Sequence, residues 1–315
     1  MPHITHDVTA AVARLRDGGL VAIPTETVYG LAAEAANPAA VAAVYALKGR
    51  PATNPLIVHV ADPAWLYDFA RDVPALALRL IERFWPGPLT LVLPARDEVP
   101  RAITANQDSV ALRQPAHPLC LAVLRGLGSA LVAPSANRFM SISPTTAAHV
   151  AHQFAGEDLL ILDGGPCTVG LESTIVSVLP GHAPTLLRPG MLDVQSLEAV
   201  AGTAIVRHGQ ADVRAPGQHR RHYAPRTPTQ LFDEAQAADT RNPRVGWIFC
   251  AAPFAVAGPA LALGSEPDGY ARRLYDALYQ LDAADLDLLL IQRPPARDAW
   301  RAVTDRLQRA ATSGS

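Results

Sequence analysis

The sequence predicts an α/β protein in two parts, a twisted mixed-sheet domain over residues 1–202 and a small α/β domain over residues 229–315. Three observations carry this. Short apolar runs of strand length interleave with helix-period segments through the first two hundred residues. They do so without strict alternation, which favours a mixed sheet over a pure βαβ ladder. A stretch dense in Pro, Gly, Arg and His, residues 203–228, then breaks the pattern, and strand, helix, strand and helix follow it. A chain of 315 residues has the length of two domains.

Taken in order, Val8, Val12 and Leu15 recur at helical spacing, and Gly18-Gly19 stops that helix. Residues 20–23 form a short buried strand that delivers the loop from Pro24 to Gly30. Pro38 opens an Ala-rich helix to about residue 47, with proline in the first turn where its missing N–H costs nothing. Residues 56–60 fit a strand, and 63–70 and 74–84 fit helices. Further strands fit 89–93, 110–112, 130–133, 159–162, 173–178 and 185–187. A helix at 193–200 closes the first domain. Beyond the linker, 245–249 and 286–291 fit strands, and 269–281 and 295–311 fit helices. No tandem repeat is visible.

Composition narrows the function classes. The chain is 49 % hydrophobic and 18 % charged, enough to bury a core and unlike a disordered segment. A formal net charge of −2 leaves no global basic field to draw nucleic acid, although a local patch stays open. Cys120, Cys167 and Cys250 are odd in number and far apart, which suggests neither a disulfide framework nor a zinc site. His3, His6 and Asp7 stand where a signal peptide would need Lys or Arg before an apolar run. No apolar stretch approaches the ~20 residues of a membrane span. The expectation is a soluble, cytoplasmic protein with no membrane partner.

Chemistry concentrates between Pro24 and His59. Pro24-Thr25-Glu26-Thr27-Val28-Tyr29-Gly30 follows a buried strand, where α/β proteins place ligand contacts; the hydroxyls could also simply satisfy a turn. Lys48-Gly49-Arg50-Pro51 follows the Ala-rich helix. Arg clamps phosphate oxygens through a planar fork and Lys acts as a mobile point charge; a solvated helix end is the plainer alternative. Asn54-Pro55-Leu56-Ile57-Val58-His59 brackets an apolar strand with an Asn and a His. Ser109 and Arg113 share one face of a strand by period 2, suiting a carboxylate ligand or else a surface ion pair. Ala133-Pro134-Ser135-Ala136-Asn137-Arg138 is small enough for backbone N–H groups to approach an anion. Ser143 or Thr145 could serve there too, or could cap a helix beginning near Thr146. Asp163-Gly164-Gly165-Pro166, Gly170-Leu171-Glu172-Ser173-Thr174 and Arg188-Pro189-Gly190 flank later strands. P-loop, dinucleotide-binding, nucleophile-elbow and zinc-helix motifs are all absent.

Taken together these blocks resemble the Sua5/YrdC/YciO family, whose Sua5-type members are L-threonylcarbamoyladenylate synthases. The resemblance covers nearly the whole chain. It implies a YrdC-like catalytic domain at 1–202 and a linker or lid at 203–228, carried by Pro216-Gly217-Gln218-His219-Arg220-Arg221-His222-Tyr223-Ala224-Pro225. A Rossmann-like C-terminal domain would occupy 229–315, with Tyr270, Tyr279, Trp300 and Asp305-Arg306-Leu307. The implied reaction joins L-threonine, bicarbonate and ATP into threonylcarbamoyl-AMP and pyrophosphate, for the t6A modification beside the tRNA anticodon. On that mapping Thr27, His59, Arg113 and Ser173 surround threonine, with the backbone of Ala133 nearby. Lys48, Arg50, Asn54, Ser109, Ser135, Ser143, Arg188 and Tyr223 hold ATP, and Lys48 and Arg50 serve catalysis. Mg²⁺ would accompany ATP without a protein-built metal site. A downstream threonylcarbamoyl transferase complex would receive the product, and any tRNA contact would be indirect. The chain departs from the family pattern at Ser109, at Thr104-Ala105-Asn106 and at Phe139-Met140. Two other readings compete: an RNA-binding module using Lys48, Arg50, Arg138 and Arg188, and a carbamoyl-transfer enzyme acting on another acceptor. Against the second, no Cys-x-x-Cys or acylphosphatase-like segment is present.

Overall fold

Two sheets organise the chain in the computed structural model, which describes residues 1–207, 213–217, 219–233, 240–251 and 253–312. Residues 208–212 and 218 of the linker, and the last three residues, lie outside the described set. The first sheet takes strands β1 (His3–Thr5), β2 (Val21–Ile23), β3 (Gly30–Glu34), β4 (Ile57–His59), β5 (Leu89–Pro94) and β6 (Ser109–Arg113). It is completed by β7 (Leu131–Val132), β8 (Leu160–Leu162), β9 (Thr174–Ser177) and β10 (Thr185–Arg188). The spatial order is β1-β8-β2-β3-β7-β4-β6-β5-β9-β10. Parallel pairs such as β4–β6 and β5–β9 alternate with antiparallel ones such as β5–β6 and β9–β10. The sheet is mixed.

Period-2 alternation then divides labour between its two faces. Val58, Leu91, Leu93, Val110, Leu112 and Val176 point into the largest apolar core. The register sets Ile57 beside Ala111 and His59 beside Arg113, with Val92 opposite Ala111 and Thr90 opposite Ile175. The second face therefore carries His59, Arg113, Ser109, Thr90 and Ser173 among a few small apolar residues. Ile57, Val92, Ala111 and Ile175 form a minor cluster there, covered by Ala215 of the linker. The core lies on one side of the sheet and the polar groups gather on the other.

Helix ends follow local chemistry. In α1 (Val8–Arg16), Asp7 caps the N-terminus by accepting from the Thr9 N–H, a contact typical of acidic caps. In α2 (Pro38–Lys48), Asn37 accepts from the N–H groups of Ala39 and Ala40, and Gly49 closes the helix in the left-handed region at φ 64°. That cap turns the chain out of the helix, carrying Arg50 off its axis while Lys48 stays in the last turn. Residues 63–70 form not an α-helix but a 3-10 helix, Pro63–Asp68. Then come α3 (Ala75–Phe84), α4 (Arg101–Thr104), α5 (Pro118–Leu127), α6 (Ala147–Gln153) and α7 (Val194–Ala201). The α6 cap is Thr146, which accepts from His149 N–H, so neither Ser143 nor Thr145 fills that role.

The second sheet is wholly parallel, in the order β11-β14-β12-β13, from β11 (Thr229–Phe232), β12 (Val245–Phe249), β13 (Ala260–Ala262) and β14 (Leu288–Gln292). Helix α8 (Pro267–Asp282) connects β13 to β14, and α9 (Arg301–Ala310) follows a 3-10 turn at Asp298–Trp300. One face of this sheet buries Trp247, Phe232 and Phe249. The other shares a core with α8 and α9 that also takes in Val28, Ile142 and Leu171 of the first domain and Tyr223 of the linker. Gly170 lets α8 come this close, because a Cβ there would lie 2.5 Å from the Arg272 Cα. No helix among the described residues is long and apolar enough to cross a membrane.

Candidate active site

The polar face of the first sheet opens into a cavity beneath the linker. Thr25 shapes its rim: the hydroxyl donates to the Val28 carbonyl at 2.6 Å and accepts from the N–H groups of Thr27 and Val28. This local turn aims Glu26 and Thr27 at β6. Arg113, at the end of that strand, donates from Nη2 to Glu26 Oε1 at 2.7 Å, from Nη1 to the Thr27 hydroxyl at 2.9 Å and from Nε to the Gly87 carbonyl at 3.2 Å. Glu26 completes its own set by accepting from Ala116 N–H. Three of the five N–H groups of Arg113 are thus committed. The remaining two are available to a carboxylate.

Arg188 is held in the same manner. Its Nε donates to the Ser173 carbonyl at 3.0 Å and its Nη2 to the Ser173 hydroxyl at 3.0 Å, while that hydroxyl also bonds Thr90 at 2.7 Å. Arg50 folds back on its own loop, donating to the carbonyls of Asn54 and Pro55. His59 uses Nδ1–H toward the Ile57 carbonyl at 3.2 Å, which leaves Nε2 as an acceptor. Lys48 approaches from behind the small-residue loop, its Nζ donating to the carbonyls of Ser135 at 2.5 Å and Asn137 at 2.6 Å.

Four cations, Lys48, Arg50, Arg113 and Arg188, are therefore buried within one region, and the two nearby carboxylates are both committed. Glu26 belongs to Arg113. Glu172 accepts from Ser143 at 2.6 Å, from Tyr275 at 3.0 Å and from Arg306 at 2.8 Å. Burial, reinforced by Arg50 and Arg138, pushes the Lys48 ammonium well below its ordinary pKa. Burial, with Arg188 nearby, lowers Arg50 to about 10. Burial and the Arg113 charge hold His59 neutral, at about 3. Positive charge crowded out of water to this degree is what a polyanion relieves. Among the described residues no cluster of three or more His, Cys, Asp or Glu could hold a metal ion.

The linker forms the roof. Gly217 sits in the left-handed region at φ 87°, and a Cβ there would lie 2.5 Å from the Tyr223 hydroxyl and 3.0 Å from Arg188 Cδ. Tyr223 itself adopts φ 59°, an uncommon conformation for an aromatic residue. Its ring packs against His222, centroids 4.0 Å apart, and Phe139 edges onto His219 and His222. The Tyr223 hydroxyl and His222 Nδ1 are buried without a hydrogen-bond partner among the described residues. The cleft encloses about 560 Å³ including its open mouth.

Of the residues singled out from sequence, Thr27, Arg50, His59, Arg113, Ala133, Ser135, Ser173, Arg188 and Tyr223 line this cavity. Lys48 does not; it braces the Ser135–Asn137 backbone from outside. Asn54 sits beside the cavity, its amide 3.3 Å from His219 Nε2. Ser143 turns toward Glu172 rather than the open space. Ser109 occupies the far end of β6, opposite Pro94, about 13 Å along the strand from Arg113 at ~3.3 Å per residue. His222 of the expected lid lines the cavity too, as does Glu172, while Glu26 and Thr90 hold Arg113 and Ser173; Glu26, Thr90 and Glu172 had no role assigned from sequence. Their signal was faint: a lone acid inside an otherwise neutral buried segment, as in Gly170-Leu171-Glu172-Ser173.

Comparison with known proteins identifies the family of the chain. The Sua5–YciO–YrdC family model, described as telomere recombination, matches residues 13–190. A second model, described as the C-terminal domain of threonylcarbamoyl-AMP synthase, matches residues 192–312. The chain belongs to the Sua5/YciO/YrdC family. The Bacillus subtilis threonylcarbamoyl-AMP synthase is 39 % identical, over 96 % of this chain and 92 % of its own length. The Pyrococcus abyssi enzyme of the same name is 38 % identical, over 96 % and 93 %. The crystal structure of P. abyssi Sua5 complexed with L-threonine superposes with a TM-score of 0.87 at 34 % identity, over 99 % of this chain and 97 % of that one.

Proposed function

We propose that this chain is an L-threonylcarbamoyladenylate synthase: it joins L-threonine and bicarbonate as a carbamate and transfers that carbamate to the α-phosphorus of ATP, releasing pyrophosphate. The observation that carries the reading is the convergence of Arg50, Arg113 and Arg188 on one cavity whose carboxylates are already spent. Arg113, with two free N–H groups beside the Thr27 hydroxyl, seats the threonine carboxylate. Neutral His59 accepts a hydrogen bond from the amine or hydroxyl without adding another positive charge. Arg50 and Arg188 take the phosphates, and Lys48 keeps the Ser135 loop in place behind them. The full site set proposed is the one the resemblance implies, with Ser109, Asn54 and Ser143 acting at its edges. Names of relatives and the threonine-bound P. abyssi structure support the substrate choice.

In chemical terms, the threonine nitrogen attacks bicarbonate carbon with loss of water, and a carbamate oxygen then attacks phosphorus as the bond to pyrophosphate breaks. Adenylation of this kind depends on alignment and charge neutralisation more than on a strong base. Mg²⁺ arrives with ATP as part of the substrate and stays with its phosphates. Shielding the carbamate requires a closed roof, and residues 203–228 serve as that lid. Three free, buried thiols suit a reducing cytoplasm. The product would pass to a threonylcarbamoyl transferase complex, with tRNA contact indirect.

Of the four cations of the RNA-binding reading, Lys48, Arg50 and Arg188 are 2 %, 8 % and 4 % exposed, too deep to meet the backbone of an RNA strand, and the partly exposed Arg138 is paired with Glu157, which disfavours that reading. The deciding experiment incubates the protein with ATP, bicarbonate and each amino acid in turn and measures pyrophosphate. Release that depends on threonine is expected, together with its loss in Lys48→Ala and Arg50→Ala variants that keep the native circular dichroism. Equal release without threonine, or normal turnover in both variants, would refute the reading.

A further inference from the structure

We infer that Arg306, on the last helix of the second domain, is a positioning residue for this reaction, holding the Glu172 carboxylate and the Tyr223 ring where they close the site over the nucleotide. The inference rests on the reading of the cavity given above. Arg306 is completely buried. Its Nε donates to Glu172 Oε2 at 2.8 Å, its Nη1 to Asp305 at 2.6 Å, and its guanidinium carbon lies 5.0 Å from the centre of the Tyr223 ring. Glu172 and Tyr223 both line the cavity. One cation from the second domain therefore grips one residue of the floor and one of the roof.

A structural anchor alone would not need this charge. Leu274, Tyr270, Val303 and Leu307 already bury an apolar seam shared with Leu171 and Ile142. Other hydrogen bonds pin the linker as well, from Ala224 N–H to the Met140 carbonyl and from the Arg309 guanidinium to the His219 carbonyl. Burying a guanidinium adds desolvation cost to an interface that packs without it. The added geometry is specific to the site. The cation faces the Tyr223 ring, which favours that ring in its left-handed backbone conformation. It also fixes Glu172, whose other oxygen orients Ser143. Burial would raise the Glu172 carboxyl, but Arg306 and Arg188 hold it below its usual range, so it stays an acceptor. The Arg306 Nη2 and the Tyr223 hydroxyl both lack partners among the described residues, as expected of a clamp completed when ligand arrives.

The test uses the full chain as Arg306→Met, Arg306→Lys, Tyr223→Leu and the Arg306→Met/Tyr223→Leu double variant. Circular dichroism and melting report the fold, and steady-state pyrophosphate release reports KM for ATP and kcat. Arg306→Met is expected to raise KM for ATP about tenfold, within the range of a removed cation–π contact and charged hydrogen bond. Arg306→Lys should recover part of that loss. The double variant should be no worse than the worse single one, because both act on one clamp. A lower melting temperature with KM for ATP unchanged, or strictly additive losses, would overturn the positioning role. Should Arg306→Met fail to fold, the lysine variant decides: a raised KM supports the clamp and an unchanged KM overturns it. If the wild type releases no pyrophosphate, the functional reading fails first. Calorimetric binding of ATP then tests the clamp separately: weaker binding by Arg306→Met supports it and equal binding refutes it.

Discussion

The floor of the cavity and its roof are built on opposite terms. On the floor, the guanidinium groups of Arg113, Arg188 and Arg50 are each tied to backbone carbonyls of neighbouring strands and loops. In the roof, the Tyr223 hydroxyl and His222 Nδ1 are buried with nothing to bond. The floor is preorganised and costs nothing further when substrate arrives. Among the described residues the roof carries an unmet demand, one that a ligand or water would answer. Catalysis by alignment gains from a rigid floor, while exchange of substrate and product needs a roof that can leave.

The strongest way to break this contrast is on the floor. Arg113→Met should abolish threonine-dependent pyrophosphate release, by about a hundredfold or more. It should also destabilise the fold by about 3–5 kcal/mol, since Glu26 is left charged, buried and unpaired. Urea unfolding beside the activity assay measures both, and lost activity with unchanged stability would show that the Glu26 pair is not structural. A second test uses pH. His59 is depressed to about 3 from an unfolded value near 6.5. The unfolded chain therefore binds a proton that the native state refuses between those values. Its contribution is intact above about pH 6.5 and is lost as pH falls toward 3, by at most about 1.4 kcal/mol per pH unit. His59→Gln should flatten that part of the stability–pH curve, and an unchanged slope would place the titration elsewhere. The smallest effect belongs to the roof. Tyr223→Phe removes an orphaned hydroxyl, so the ligand-free protein should be unchanged or up to about 1 kcal/mol more stable, while calorimetric ATP affinity falls severalfold. A clear loss of stability without ligand would mean that the hydroxyl is satisfied after all.

Much of the fold was legible because β-branched runs such as Leu56–Val60 and Leu89–Leu93 carry their own signature. Strand β3 was not, since Gly-Leu-Ala-Ala-Glu has poor strand propensity and is held in place by pairing with β2 and β7. The apolar helix α5 also went unassigned, its stripe merging with the strand that follows. In the site, residue types announced the chemistry while their directions stayed hidden. Lys48 looks in sequence like a phosphate ligand, yet from the last turn of α2 its ammonium braces the carbonyls of Ser135 and Asn137. Ser143 looks like a cap, but Thr146 takes that duty and frees it for Glu172. The Glu172–Arg306 pair joins positions 134 residues apart, beyond the reach of any local pattern.

Ala215 has a consequence of its own. It rests on Ile57, Ala111 and Ile175, midway along the strand face that separates Ser109 from Arg113. A phosphate chain laid between those two ends would claim the same ground. The linker would then be a built-in rival for the nucleotide, and the strength of ATP binding would be multiplied by the fraction of molecules in which that rival has stepped aside. A chain shut for all but about one part in a hundred would take up ATP roughly a hundredfold more weakly than its bare pocket allows.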